Sequence, residues 1–181
     1  MSTLRVDNLT GVSGSGVISM PSTVSLYASG HLIQTKTASS GPARQTINSL
    51  TPVAVDGLSI SFTPINANSL IVVKAQISTS ASYVSAHAIY KDGNPSVSTT
   101  GFTNNCRANM NITTYINADT NDNIYSFPIM WSETAGSTLA RTYQVYATAQ
   151  FSASVRILNI NNRNSNDMAS FSHLTVMEYA R

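Results

Sequence analysis

The chain has 181 residues, 42% of them apolar and only 10% charged, with ten basic and eight acidic side chains and a net charge of +2. That is enough apolar material for one large domain, or one domain with an appendage, to bury a core, while a charge content well below the usual ~25% and singly placed basic residues exclude the clustered Lys and Arg of a nucleic-acid surface. No apolar run approaches the ~20 residues of a membrane span, and the lone cysteine, Cys106, excludes an internal disulfide or a cysteine-based metal cluster.

Polar character comes instead from 64 Ser, Thr and Asn residues. Such side chains favour turns, hydrate strand faces without charge repulsion and hydrogen-bond sugars. The opening MSTLRVDNLT has no basic stretch leading into an apolar one, so no secretory leader is expected and synthesis in a cytoplasm is. Nowhere do helix formers recur at 3.6-residue spacing. Strand-like runs recur every ~8–12 residues between turn signals, which is the all-β pattern.

Residues 1–36 carry Leu4, Val6 and Leu9, then Gly11, Gly14 and Gly16, then Val17 and Ile18 before Pro21, and finally short runs around Leu26 and Leu32. These short strands hold too little apolar surface for a core of their own. An N-terminal β arm is expected, ordered by sister chains or a neighbouring protein. Leu4, Val6, Leu9, Val17 and Ile18 are its candidate oligomer or attachment contacts. Ser39-Ser40-Gly41-Pro42 reads as a linker, and residues 37–181 as a β-sandwich domain whose strands begin near Arg44.

The best-written stretch is Gly57 to Ser78. Ile60 and Phe62 alternate with Ser59, Ser61 and Thr63, the signature of a half-buried strand. Pro64 removes a backbone donor and stops it. Ile65-Asn66-Ala67-Asn68 turns the chain. Leu70 to Val73 is apolar on both parities and predicts a strand covered on both faces. Further on, Val84, Ala86, Ala88 and Tyr90 share a face, and Asp92-Gly93 predicts a hairpin turn. Ala108, Met110, Ile112, Thr114 and Ile116 share another. Tyr125, Phe127, Ile129 and Trp131 predict an aromatic face near the core. After a turn at Ala135-Gly136-Ser137, Tyr143, Val145, Ala147, Ala149 and Phe151 point inward. Val155 to Leu158, an Asn-rich loop over 159–167 and a strand within Phe171–Tyr179 complete the chain. About eight strands predict a two-sheet sandwich of jelly-roll type.

Several of these segments carry a resemblance. Gly57-Leu58-Ser59-Ile60-Ser61-Phe62-Thr63-Pro64 followed by Ser69-Leu70-Ile71-Val72-Val73 resembles a β domain of structural and fibre-like proteins of tailed bacteriophages, of the cyanophage or marine-phage type. Lys91-Asp92-Gly93, Arg141-Thr142-Tyr143-Gln144-Val145 and Leu174-Thr175-Val176-Met177-Glu178 fit the same pattern in order. So do the opening Ser2 to Asp7 and the Gly14 to Ile18 run. Leu70 stands where the family often has Lys. The resemblance implies a virion protein, commonly a homotrimer, with structural or host-recognition duty. The arm would bind another virion protein and the sandwich a host-surface glycan. No catalytic residue or cofactor is carried over. A trimeric tail fibre or fibre tip is the leading expectation; a capsid decoration or head-fibre protein and a small capsule-degrading enzyme are the alternatives.

Sites of chemistry are sparse. Asp119-Thr120-Asn121-Asp122-Asn123 begins like a calcium loop, but Ile124 and Met130 stand where Gly and Glu are needed, leaving a polar turn. His31, His87 and His173 lack ligand spacing; in a trimer, copies of His31 or His87 could meet on a three-fold axis around an ion. No G-x-S-x-G elbow is present. Glycoside cleavage needs paired carboxylates, and acids such as Asp56 and Asp92 read as turn residues. Trp131 is expected in the core, and Tyr83 is the better-exposed aromatic.

Overall fold

Side chains that alternate along a strand must bury one parity against a second layer, and the computed structural model realises this as two facing antiparallel sheets. It describes residues 28–41, 43–49, 51–81, 83–96, 112–116, 124–149, 158–160 and 170–181. Within them lie β1 (Leu32–Ser39), β2 (Gln45–Ile47), β3 (Val53–Phe62), β4 (Leu70–Ala81), β5 (Tyr83–Lys91), β6 (Asn94–Pro95), β7 (Ile112–Ile116), β8 (Tyr125–Thr134), β9 (Arg141–Ala149), β10 (Leu158–Ile160) and β11 (His173–Tyr179). The first sheet runs β1-β11-β4-β10-β2, with β8 also on β4; the second runs β3-β9-β5-β6, with β7 also on β5. The expected all-β sandwich is therefore the fold.

The core follows the predicted parity. Leu58, Ile60 and Phe62 of β3, Ile71, Val73, Ala75 and Ile77 of β4, Tyr143, Val145, Ala147 and Ala149 of β9, and Leu174 and Val176 of β11 interlock between the sheets. Tyr143 sits edge-on to Phe62, and Trp131 leans on it at 6.2 Å between ring centres. Phe127 and Trp131 pack against this core as partly buried residues, while Tyr125 at the start of β8 is exposed.

Four local expectations change. The linker expected at Ser39–Pro42 begins as strand: β1 runs through Ser39, and the buried Ser40 donates its N–H to Ser172 O. β1 also crosses position 36, and all of Gln34–Ser39 pairs with β11, so 32–36 lie in the sandwich sheet. Asp56-Gly57 is a bulge inside β3, where the register to β9 shifts between Ala54 and Ser59. Gly57 has φ 76°, and a Cβ there would meet Ser40 Cα at 3.1 Å; only glycine suits both demands. Leu70 and Val72 are half-buried, in contrast to fully buried Ile71 and Val73, so the first part of β4 is covered fully on one face only.

Ala86, Ala88 and Tyr90 do share a face, but it is the outer one, where Tyr90 stacks on Tyr146 at 4.0 Å. The core parity of β5 is His87 and Ile89. The Asp92-Gly93 hairpin forms as predicted: Lys91 pairs with Asn94, and both turn residues have positive φ, as a type I′ turn requires. Leu4, Val6, Leu9, Val17, Ile18, Cys106, Ala108, Met110, Phe151 and the 119–123 turn lie outside the described residues, as do the side chains of Tyr83, Val84, Ile112, Thr114 and Ile116.

Candidate functional site

Both glutamates, Lys91, Arg141 and Tyr143 converge at one end of the sandwich. Ile71 of β4 pairs with Glu178 of β11 on one side and Glu133 of β8 on the other, so the two glutamates of the chain occupy one cross-strand row. Adjacent strands lie about 4.8 Å apart, which puts their Cα atoms roughly 10 Å from each other. Both have the inward parity.

Glu133 accepts from the Tyr143 hydroxyl at 2.6 Å, from Lys91 Nζ at 2.6 Å and from Arg141 Nη1 at 3.3 Å. All three donors belong to the opposite sheet. Arg141 also donates to Ala135 O and Ser137 O, at 2.7 and 2.9 Å, and so gathers the β8–β9 loop over the cluster. Burial, then the hydrogen bond and charge of Glu133, push the Tyr143 phenol far up despite the opposing Arg141. It stays a neutral donor.

Glu178 is fully buried. It accepts from the N–H groups of Ile65 and Asn66 at 3.0 Å and from Gln34 Nε2 at 2.6 Å. Burial raises its carboxyl, but the donors from Gln34, Ile65 and Asn66 outweigh that and hold it below the usual carboxylate range. Asp92 closes its own turn: it donates its N–H to Thr142 O and accepts the Thr142 N–H on Oδ1 at 2.7 Å. Each of these acids holds a turn or joins two sheets. Sequence reading missed the convergence, since the only signal was that Glu133 and Glu178 both continue an inward strand parity.

The histidines are separated. His31 and His173 are exposed, whereas His87 is wholly buried between the sheets, so it cannot meet its copies on an axis between subunits. Its ring stacks on Phe127 at 5.8 Å, and neither nitrogen has a hydrogen-bond partner among the described residues. Burial lowers its pKa to about 4, so the imidazole is neutral. No group of three His, Cys, Asp or Glu suited to a metal occurs among the described residues.

The first sheet's outer face carries the other feature, a shallow depression of about 420 Å³. Lys74 and Gln76 of β4, Pro128 and Met130 of β8, and His173 and Thr175 of β11 line it. Cross-strand register sets the rows: His173, Gln76 and Pro128 in one, Thr175, Lys74 and Met130 in the next. Gln76 Nε2 donates to Ser126 Oγ at 2.9 Å. Met130 is 69% exposed.

Edges of the sheets are blunted while this face is open. Pro128 removes a donor from β8, the bulge at Gly57 bends β3, and Lys36 of β1 turns its ammonium to Ser61 O at 2.9 Å. Proline, bulges and inward lysines are the usual guards against strand addition.

No family model matches the chain and no curated protein does. Among solved structures, a chain of the infectious bursal disease virus Gt strain aligns with 91% of this chain at 12% identity and a TM-score of 0.35, a likeness too low to argue from. This chain spans 42% of that one. Among the described residues, no helix is long and apolar enough to cross a membrane.

Proposed function

We propose that the chain is a non-enzymatic structural and binding module of a virus particle, a subunit of a trimeric bacteriophage tail fibre or fibre tip built on a jelly-roll sandwich. The observation that carries this reading is the strand order. Sheet β1-β11-β4-β8 faces sheet β3-β9-β5-β7, so early and late strands alternate as they do when two Greek keys roll up, the plan used by viral capsid and lectin domains. The employment of Glu133 in a cross-sheet tie and of Glu178 in holding the turn after β3 supports a frame over a catalytic pair. The sequence resemblance to phage fibre-like proteins supports the particle.

In this reading the residues that precede β1 attach the subunit and intertwine sister chains. Three copies let weak surface contacts act together. Sedimentation equilibrium on the full chain tests the trimer, with three times 19.3 kDa expected and a monomer overturning it. Immunogold labelling of particles should mark the tail. Labelled heads would transfer the proposal to a capsid decoration protein, and sugar release from host polysaccharide by the purified chain would replace it with an enzyme.

A further inference from the structure

We propose that the depression on the outer face of the first sheet binds an acidic saccharide, with Lys74 taking its carboxylate. The proposal rests on the reading above only in treating the chain as a binding module.

Lys74 is one of three lysines, and the other two are tied down. Lys91 pairs with Glu133 and Lys36 with Ser61 O. Lys74 has neither an ion pair nor a hydrogen bond among the described residues. It stands on β4, a central strand paired on both sides, so it has no edge to guard. Its cross-strand neighbours Thr175 and Met130 are neutral, and no carboxylate lines the depression among the described residues. An unpaired cation in the middle of a charge-poor face complements one anionic group.

The surroundings suit a sugar more than a simple ion. The Thr175 hydroxyl, the Gln76 amide oxygen and the His173 imidazole offer donors and acceptors for ring hydroxyls. Met130 and Pro128 offer an apolar floor for the carbon face of a ring. The volume falls within the range of small-ligand sites and fits one or two sugar rings, whereas a protein partner would need the whole face.

Amide chemical shifts of the isotope-labelled full chain test this, titrated with cellobiouronic acid, 3′-sialyllactose and a hyaluronan tetrasaccharide against cellobiose and lactose. At least one acidic probe should shift Lys74, Gln76, Met130 and Thr175 at millimolar concentration, and bind about tenfold or more tightly than its neutral counterpart, one charge contact's share of affinity. Lys74→Gln should abolish that preference with the thermal midpoint unchanged, and Lys74→Arg should restore it. Equal binding of acidic and neutral sugars, no shift with any probe, or an equal response to a polyglutamate peptide would each overturn the proposal. Tail labelling by antibody without acid-sugar binding would sink this inference alone; acid-sugar binding without particle labelling would sink only the virion reading.

Discussion

The Tyr143 hydroxyl donates to Glu133 Oε1 over 2.6 Å, and that bond joins β9 of one sheet to β8 of the other. Lys91 and Arg141 complete the carboxylate's shell. Removing the acid takes the shared acceptor from Lys91 and Tyr143 and leaves Arg141 only its bonds to Ala135 O and Ser137 O, whereas removing the phenol leaves a carboxylate that still has two cations. Glu133→Ala should therefore lower unfolding stability by about 3–4 kcal/mol and Tyr143→Phe by about 1–2 kcal/mol, read as urea midpoints at constant m. Equal losses would show that the cluster does not act through the carboxylate.

The same phenol gives an alkaline signature. Its folded pKa lies above the unfolded value, so its contribution is complete below pH ~10 and fades as pH rises beyond that. Tyr143→Phe should flatten the wild-type decline in midpoint above pH 10. An unchanged decline would assign it to other tyrosines.

His87 acts in the opposite range. Its folded pKa, about 4, lies below the unfolded 6.5, so the unfolded chain takes up a proton that the folded one refuses. Stability should fall as pH drops from 6.5 to 4, by on the order of 3 kcal/mol in all from this group. His87→Phe should remove that limb and keep the pH 7 midpoint close to wild type, since the ring already stacks on Phe127 and neither nitrogen has a described partner. A wild-type midpoint level between pH 6.5 and 4 would contradict the burial of the imidazole.

Glu178 contributes below that window. Its carboxyl is held below the usual carboxylate range, so its stabilisation is present above that range and is lost as pH falls through the lowered value. Glu178→Gln should remove this acid loss but weaken the chain at pH 7 by about 1–3 kcal/mol, because an amide cannot accept from Ile65, Asn66 and Gln34 as a carboxylate does. A neutral effect at pH 7 would mean that the turn after β3 closes without it.

Gly57 and Gly93 separate strain from space. Both have positive φ, at 76° and 77°, yet a Cβ on Gly57 meets Ser40 while one on Gly93 meets nothing within 4 Å. Gly93→Ala should lose about 1 kcal/mol, and Gly57→Ala clearly more, by thermal or urea unfolding. Equal losses would mean that β1 yields to the bulge.

Alternation made much of the fold legible. Ile60 and Phe62, Tyr143 to Ala149, and Ile129 read correctly as inward because a strand has two faces and apolar side chains choose one. Asp92-Gly93 read correctly because few dipeptides accept positive φ in succession. Parity does not say which face is the inner one, so Ala86, Ala88 and Tyr90 shared a face as expected while His87 and Ile89 took the core. Asp56-Gly57 carries the same turn signal as Asp92-Gly93 and became a bulge because β3 continues its pairing with β9 beyond it.

Composition and side-chain period alone determined an all-β, charge-poor chain with a core assembled from alternate residues, since those depend on local geometry and on water. Which acids meet which cations, and which lysine stays unpaired, was decided by strand register. Glu133 lies 42 residues from Lys91, and Glu178 lies 113 from Ile65. Only the pairing of β4 with both β8 and β11 sets the two glutamates beside Ile71 and leaves Lys74 between Thr175 and Met130, because neighbours across a sheet are chosen by backbone hydrogen bonds between distant segments.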